Sequence, residues 1–174
     1  NVIGQGQTFD KLSPSVTSYF VDEVTFERQM HSLVDVADCL ALNEVSDFYL
    51  KSASKTVKQQ RERTGRRQVQ ITFDDGWMGS VDIAGPILER FGFCGTLFVT
   101  TDLIGKPNFV SRSELERLPS GTLSVGSHGR SHRLLSQLDE NQIREELVSS
   151  KALLEDVLGQ DVNSLSIPGG AIDH

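Results

Sequence analysis

The stretch that most constrains the fold of this chain runs from Val69 to Trp77. Its first five residues alternate between apolar and polar side chains, which is typical of a strand that buries one face. The strand then runs directly into Asp74, Asp75 and Gly76. Two adjacent carboxylates repel each other, so we expect a positive group beside them. Asp-Gly is also a common hairpin turn, and this stretch alone leaves both interpretations open.

Composition limits the classes of protein to which the chain can belong. Its 174 residues suffice for one domain with a core, and its apolar content of 37% is ordinary for a globular protein. No apolar run reaches the ~18 residues that a membrane span requires. The net charge of −7 argues against nucleic acid as a partner. Cys39 and Cys94 lack the spacing of metal ligands, and they can pair only if the fold brings them together.

Hydrophobic periodicity predicts alternating helices and strands. We expect helices at Thr25–Leu42, Ser80–Phe91, Ser111–Leu118 and Asp139–Leu158. After the first strand at Val69–Phe73, we expect strands at Gly95–Thr100, Thr122–Gly126 and Ser164–Ile167. Strand and helix thus alternate four times, which predicts an α/β fold with parallel βα units in one sheet or barrel.

The clearest shift in composition lies at Lys51–Arg67, which holds seven basic residues and one Glu. Because this segment lacks apolar anchors, its pattern favours a solvated connector over a binding patch for an anionic polymer. Without the segment, the rest of the chain carries about −13, which further weakens a nucleic-acid interpretation. We therefore predict two parts: residues 1–66, a helical lead-in with a basic linker, and residues 67–174, the main domain.

The third predicted strand leads into a pair of histidines, His128 and His132. Four positions apart, they lie on one face if the segment turns helically, close enough to bind one metal ion. A carboxylate from the Asp74–Asp75 pair would complete a facial ligand set that leaves positions open for water. The other carboxylate is then available as a base, because a metal lowers the pKa of its bound water from ~15.7 to ~7.

At these motifs the chain resembles the polysaccharide deacetylase family, carbohydrate esterase family 4 with its NodB homology domain. Thr72–Gly76 resembles the first motif of that family and His128–His132 the second. The likeness covers about Thr25–Gly170, and it implies a distorted, incomplete (β/α) barrel. It also implies that Asp74 is the catalytic base and that Asp75 ligates the metal together with the two histidines.

The resemblance further implies a function and a cofactor. The family removes acetyl groups from N-acetylated or O-acetylated sugars, most often in N-acetylglucosamine polymers or oligosaccharides. The expected cofactor is one divalent metal ion, with zinc favoured over cobalt, nickel or manganese. The oxyanion would be held by the metal and by the backbone N–H of Gly169, which follows Pro168 in the third motif. Neither nucleic acid nor a membrane span is expected, and the bacterial cell envelope and the cytoplasm both stay open as compartments.

Two other functions remain open at this point. The first is a relative of the same fold that acts on small amides or cyclic imides, in which the metal can be absent. The second is a non-catalytic carbohydrate-binding module. The lost arginine at Ser166 and the missing general acid of the family keep the carbohydrate-binding module open, whereas intact Asp75, His128 and His132 argue against the metal-free relative. Ser166 stands where the family has an arginine that orients the catalytic aspartate, and Gly169 replaces an aromatic residue, which should widen the groove.

The resemblance also carries an expectation about completeness. The fourth motif of the family, and the late Leu-x-x-x-His that supplies the general acid, have no counterpart before His174. We therefore expect a fragment whose barrel is not closed. Its open sheet edge would be covered by the Thr25–Leu42 helix or by another copy of the chain.

Overall fold

Short parallel strands alternate with helices along the part of the chain that the computed structural model describes, residues 1–7, 17–45, 65–118 and 121–170. The strands are β1 (Val2–Ile3), β2 (Val21–Asp22), β3 (Ala37–Cys39), β4 (Arg67–Val69), β5 (Ile71–Phe73), β6 (Gly95–Val99) and β7 (Leu123–Ser127). The helices are α1 (Glu23–Leu33), α2 (Gly85–Phe91), α3 (Arg112–Leu115) and α4 (Glu140–Leu158).

The central sheet consists of β5, β6 and β7 in that order, and all three strands run parallel. Each connection between neighbouring strands contains a helix, as parallel pairing requires. All five residues of β6 are buried, because this middle strand has a neighbour on each side and helices pack over the sheet. Strands β1 and β2, and strands β3 and β4, form two further parallel pairs.

No full strand pairs with β7 on its outer side among the described residues. The fourth strand predicted at Ser164–Ile167 is reduced to one parallel bridge between Leu165 and Ser127. The described residues form open sheets and no closed barrel. This confirms the prediction of an α/β fold with an incomplete (β/α) barrel.

The first predicted strand, Val69–Phe73, is in fact two strands separated at Gln70. β4 pairs with β3, whereas β5 pairs with β6. The alternation of side chains is continuous through Gln70, so it cannot reveal that the two halves have different partners.

The first helix differs from its prediction at both ends. The helix begins at Glu23, and its N-cap is Asp22, whose carboxylate accepts hydrogen bonds from the Thr25 N–H (3.0 Å) and hydroxyl (2.7 Å). The helix ends at Leu33 instead of reaching Leu42. The apolar spacing continues to Leu40, but Ala37–Cys39 form strand β3.

The side chain of Arg66 accounts for this early end. Its guanidinium donates hydrogen bonds to the carbonyl oxygens of Val34 (2.9 Å), Asp35 (2.8 Å) and Ala37 (2.5 Å). These carbonyls would accept from later N–H groups if the helix continued. Although the helix is shorter than Thr25–Leu42, its role in covering an open sheet edge stays a prediction. A second copy of the chain at an open edge stays a prediction.

The other predicted helices are present. α3 begins with a full capping box between Ser111 and Glu114, although it ends at Leu115. α4 is capped by Asp139 and ends at Gly159, which adopts a left-handed conformation. The helical run at Ser80–Phe91 restarts near Pro86, with a π-helical turn before α2.

The basic segment predicted at Lys51–Arg67 lies outside the described residues except for its last three positions. The boundary between residues 1–66 and 67–174 stays a prediction. No helix in the described ranges combines the length and the apolarity needed to cross a bilayer.

Gly126, in β7, allows a test of how tightly the sheet is packed. A Cβ at this position would lie 2.5 Å from the Phe98 ring and 2.7 Å from the Ser164 hydroxyl oxygen. We expect Gly126→Ala to lower the free energy of unfolding by about 1–3 kcal/mol, because the excess atom cannot be accommodated without shifts. Urea denaturation measures this loss. The matched control is Gly4→Ala, whose Cβ would meet nothing closer than 3.5 Å, and equal losses for both variants would contradict the packing described here.

Candidate metal centre

The carboxyl ends of the parallel strands bring the predicted metal ligands together. Asp75 follows β5, and His128 follows β7 directly. The end of β6 connects both loops, since the Thr100 N–H bonds to the Asp75 carbonyl (3.4 Å) and the His128 N–H bonds to the Val99 carbonyl (2.9 Å). The middle strand therefore fixes the separation of the two ligand-bearing loops.

The three side chains converge on one point. Oδ1 of Asp75 lies 3.2 Å from Nε2 of His132 and 3.6 Å from Nε2 of His128. One ligand atom from each residue lies within 4.8 Å of the other two. Two ligands bound at ~2.0–2.1 Å to a tetrahedral ion are themselves roughly 3.3 Å apart. The donor set and its spacing thus fit one divalent metal ion.

A buried oxygen supports this fit. Oδ1 of Asp75 is inaccessible to solvent and accepts no well-formed hydrogen bond among the described residues, although Nε2 of His132 and of His128 lie at ion-pair distance. A buried carboxylate oxygen without a well-formed hydrogen bond is costly, since it loses its interactions with water. A cation between Asp75 and the two histidines would remove this cost.

His128 is held in the orientation that a ligand requires. The residue is buried, with 2% of its surface exposed, and its Nδ1 lies 2.8 Å from the carbonyl oxygen of Ser166. With Nδ1–H donating to that carbonyl, the lone pair resides on Nε2, which faces Asp75. Ser166 thus contributes through its backbone, at the position where the family motif has an arginine.

Two of the three candidate ligands adopt unusual backbone conformations. Asp75 has φ 70° and His132 has φ 62°, which places both in the left-handed region. Non-glycine residues adopt this region rarely and at a cost of about 1–3 kcal/mol. Such strain concentrates at functional sites, where the surrounding structure holds it in place.

Charge links Asp75 to its neighbours. Burial alone would raise the pKa of Asp75, but the close contact with His132 and its charge, together with the hydrogen bond from Trp77, outweigh it, so the pKa lies below its usual value. The close contact with the Asp75 carboxylate raises the pKa of His132 against the opposing effect of burial. In the absence of a metal, the two residues therefore favour an ion pair.

Trp77 contacts the carboxylate rather than solvent. Its Nε1 donates to Oδ2 of Asp75 at 3.2 Å, which leaves Oδ1 to face the histidines. The indole is 6% exposed and packs against Phe20 and Phe109, with ring centroids 4.9 and 4.3 Å away. This burial favours a role in core packing over stacking on a sugar.

Asp74, the predicted base, lies beside the centre and is exposed. It does not belong to the convergent ligand group formed by Asp75, His128 and His132. Its charge contributes to the raised pKa of His132, after larger effects from Asp75. An exposed carboxylate next to a metal centre is accessible to water and substrate.

The predicted oxyanion residues lie against the second motif. Pro168 is buried, and its Cγ lies 3.5 Å from the position that a Cβ on Gly129 would take. Gly169 has φ 65°, and a Cβ there would lie 2.5 Å from Cδ2 of Leu134. Leu134 therefore fills part of the space that we expected the missing aromatic residue to leave open.

Glu146 is the residue that sequence reasoning missed. It is 6% exposed, and its carboxylate accepts hydrogen bonds from the N–H groups of Arg130 (2.9 Å) and Ser131 (2.8 Å) and from the Ser131 hydroxyl (2.5 Å). These bonds fix the loop that presents His132. A signal was present in the sequence, because Glu146 shares the buried face of α4 with Ser150.

Replacing Glu146 by Gln should destabilise the protein at neutral pH. Burial would raise the pKa of Glu146, but hydrogen bonds from Ser131 and Arg130 outweigh it, so the folded-state pKa is lowered. The ionised carboxylate therefore stabilises the folded state at pH values above 4.5, the ordinary pKa of the group. This stabilisation is lost as the pH falls below 4.5 and through the folded-state pKa. We expect Glu146→Gln to lower the free energy of unfolding by about 1–3 kcal/mol near neutral pH. The difference between variant and wild type should be smaller at acidic pH.

The measurement is urea denaturation of both proteins over a range of pH. The control is Glu145→Gln, which removes the neighbouring carboxylate from an exposed ion pair with Arg130 and should cost less than about 1 kcal/mol. A constant difference between wild type and Glu146→Gln at every pH would contradict the assignment of a buried, ionised Glu146.

Comparison with known proteins identifies the family. Residues 61–174 match the family model described as polysaccharide deacetylase. Over 156 residues the chain is 28% identical to YxkH of Bacillus subtilis (strain 168), a protein assigned to the polysaccharide deacetylases. That match covers 90% of this chain and 53% of YxkH, so the chain spans about half the length of this curated relative.

Solved structures show the same fold. The deacetylase PplD of Streptococcus pyogenes, determined in complex with acetate, is similar with a TM-score of 0.76 at 20% identity. IcaB from Ammonifex degensii is similar with a TM-score of 0.75, also at 20% identity. Both matches cover 99% of this chain and 74% of the other. The family model spans all three convergent ligands, and this chain belongs to the polysaccharide deacetylase family, whose members are hydrolases of amide- or ester-linked acetyl groups.

Proposed function

We propose that the whole protein removes acetyl groups from N-acetylated or O-acetylated sugars of a polysaccharide, with N-acetylglucosamine polymers as the favoured substrate. One divalent ion, zinc before cobalt, nickel or manganese, would be bound by Asp75, His128 and His132. The observation that carries this proposal is the convergence within 4.8 Å of one ligand atom from each of three residues, among them a buried carboxylate oxygen that accepts no well-formed hydrogen bond from the described residues. The acetate bound to the similar PplD is consistent with it.

The donor set suits a catalytic rather than a purely structural ion. Structural zinc sites are usually closed by four protein ligands, whereas catalytic sites have three and an open position. Only three such ligands converge here among the described residues. A divalent ion held there would supply a Lewis acid and would lower the pKa of a water molecule from ~15.7 to ~7.

The residues of the chain would perform the remaining steps. Asp74 is exposed and adjacent to the ligands, so its carboxylate accepts the proton of the water whose oxygen adds to the acetyl carbon. The carbonyl oxygen then becomes negative, and the N–H of Gly169 donates to it. When the bond from the acetyl carbon to nitrogen or oxygen breaks, the departing sugar gains the proton that Asp74 had accepted, and acetic acid leaves.

The two alternatives are less well supported by the site. In the metal-free version of a small-amide or cyclic-imide hydrolase, the convergence of the half-buried Asp75 carboxylate with two histidines would serve no function. A non-catalytic carbohydrate-binding module does not require an exposed Asp74 beside three convergent ligands. The strained conformations of Asp75 and His132 also favour a working site over a retained remnant.

Substitutions of the adjacent residues Asp74 and Asp75 should show which of the two carboxylates binds the metal. Asp75→Asn removes a charged ligand, so we expect the full-length protein to lose its zinc during dialysis. Asp74→Asn should retain close to one zinc per chain, because Asp74 lies outside the ligand group. Metal content is measured by elemental analysis of both variants. If Asp74→Asn loses zinc in parallel, Asp74 is a ligand and the proposed roles are wrong.

The same variant tests the base in catalysis. With zinc retained, Asp74→Asn cannot accept a proton, so we expect acetate release from chitin oligomers and peptidoglycan fragments to fall by ~10²–10⁴. Substrate binding should change little, because the side chain keeps its size. A full-length Asp74→Asn protein with near wild-type turnover would contradict the assignment. Zinc binding without turnover by the wild type would instead favour the carbohydrate-binding alternative.

A further inference from the structure

The two cysteines of the chain, Cys39 and Cys94, lie in contact although 55 positions separate them. Cys39 is the last residue of β3, and Cys94 directly precedes β6. Their sulfur atoms are 3.2 Å apart. The Cys39 thiol also donates to the carbonyl oxygen of Cys94 at 2.9 Å, and the Cys94 N–H points to the Cys39 sulfur at 3.4 Å. The contact therefore links the β3–β4 strand pair to the sheet formed by β5, β6 and β7.

This contact is independent of the metal centre. Neither cysteine belongs to the convergent ligand group, and the proposed mechanism does not use them. Both residues are free thiols of intermediate exposure, so a small reagent has access to them. A disulfide bond requires two sulfur atoms at ~2.05 Å, and the observed separation leaves only a small movement of the side chains to reach it.

We propose that Cys39 and Cys94 form an intramolecular disulfide that ties residues 17–45 to the sheet that carries the metal centre. The loop closed by this bond contains Asp74 and Asp75 together with strands β4 and β5. The bond would hold β3 beside β6 even when the weaker contacts around them open. The proposal concerns an oxidising environment and does not depend on the substrate of the enzyme.

The chemistry balances with a low-molecular-weight disulfide, such as oxidised glutathione, as the oxidant. Burial raises the pKa of Cys94 to about 12, so Cys39 is the thiol that begins the exchange. Its thiolate attacks one sulfur of the oxidant and expels the other as a thiolate. Cys94 then loses its proton and attacks the Cys39 sulfur, which releases the second thiolate. Two protons and two electrons leave the protein, and the oxidant becomes two thiols.

The bond should raise the thermal stability of the protein. Cross-linking residues far apart in the sequence removes entropy from the unfolded chain, and the effect grows with the length of the closed loop. For a loop of 55 positions, we expect the melting temperature of the oxidised protein to exceed that of the reduced protein by roughly 10 °C.

The test uses the native full-length protein, incubated with oxidised glutathione and then denatured and alkylated with iodoacetamide. We expect neither Cys39 nor Cys94 to be alkylated, and we expect mass spectrometry to find one linked pair of proteolytic peptides within a monomer. After reduction, both residues should react. Two alkylated cysteines after oxidation, or a link only between separate chains, would overturn the proposal.

Melting curves with and without a reductant supply the second readout. The wild type should lose about 10 °C on reduction, whereas a Cys39→Ala/Cys94→Ala variant should show no response to the reductant. Because each protein is compared with itself, any cost of the substitutions to folding does not affect the result. An intramolecular disulfide whose reduction leaves the melting temperature unchanged would overturn the stabilising role.

Discussion

The buried oxygen of Asp75 imposes the requirement that the surrounding structure has to meet. A carboxylate taken out of water needs a positive charge or hydrogen-bond donors, or it costs several kcal/mol. Trp77 donates to one oxygen, and the other faces only the histidines. A protonated His132 can balance the charge, as the opposite pKa shifts of Asp75 and His132 indicate. A divalent cation would balance it more completely, with both imidazoles as ligands.

The contacts behind the ligands determine whether that balance is possible. The Ser166 carbonyl fixes the ring of His128, and the Glu146 carboxylate fixes the loop before His132. These partners come from the segment after α4 and from α4 itself, so the centre depends on elements far along the chain. Removing outer contacts of this kind commonly lowers the affinity of a metal site by about 10–100-fold. The fold therefore supplies the orientation of the ligands, while the motifs supply only their identity.

This division explains what could be predicted from the sequence. The convergence of Asp75, His128 and His132 was predictable because parallel strands end at one edge of a sheet, so motifs at strand ends meet there. The partner change at Gln70 and the early end of α1 were not, because both depend on distant contacts. Arg66 takes the carbonyl groups after the helix, and no local pattern around residue 34 indicates it. The reduction of the fourth strand to one bridge likewise depends on pairing rather than on periodicity.

The strained backbone at two of these residues likewise depends on contacts from other parts of the chain. Asp75 and His132 each adopt a left-handed conformation. Each such conformation costs about 1–3 kcal/mol, so a loop without supporting contacts would relax out of it. On the Asp75 side, the Val110 N–H bonds to the Gly76 carbonyl (2.9 Å), and on the His132 side Glu146 holds the loop. Because these contacts already hold the two loops in place, a divalent ion bound there would not have to supply the energy of the strain. The free energy of the metal–ligand bonds would then appear as affinity, which is the advantage of a site whose geometry exists before the ion arrives.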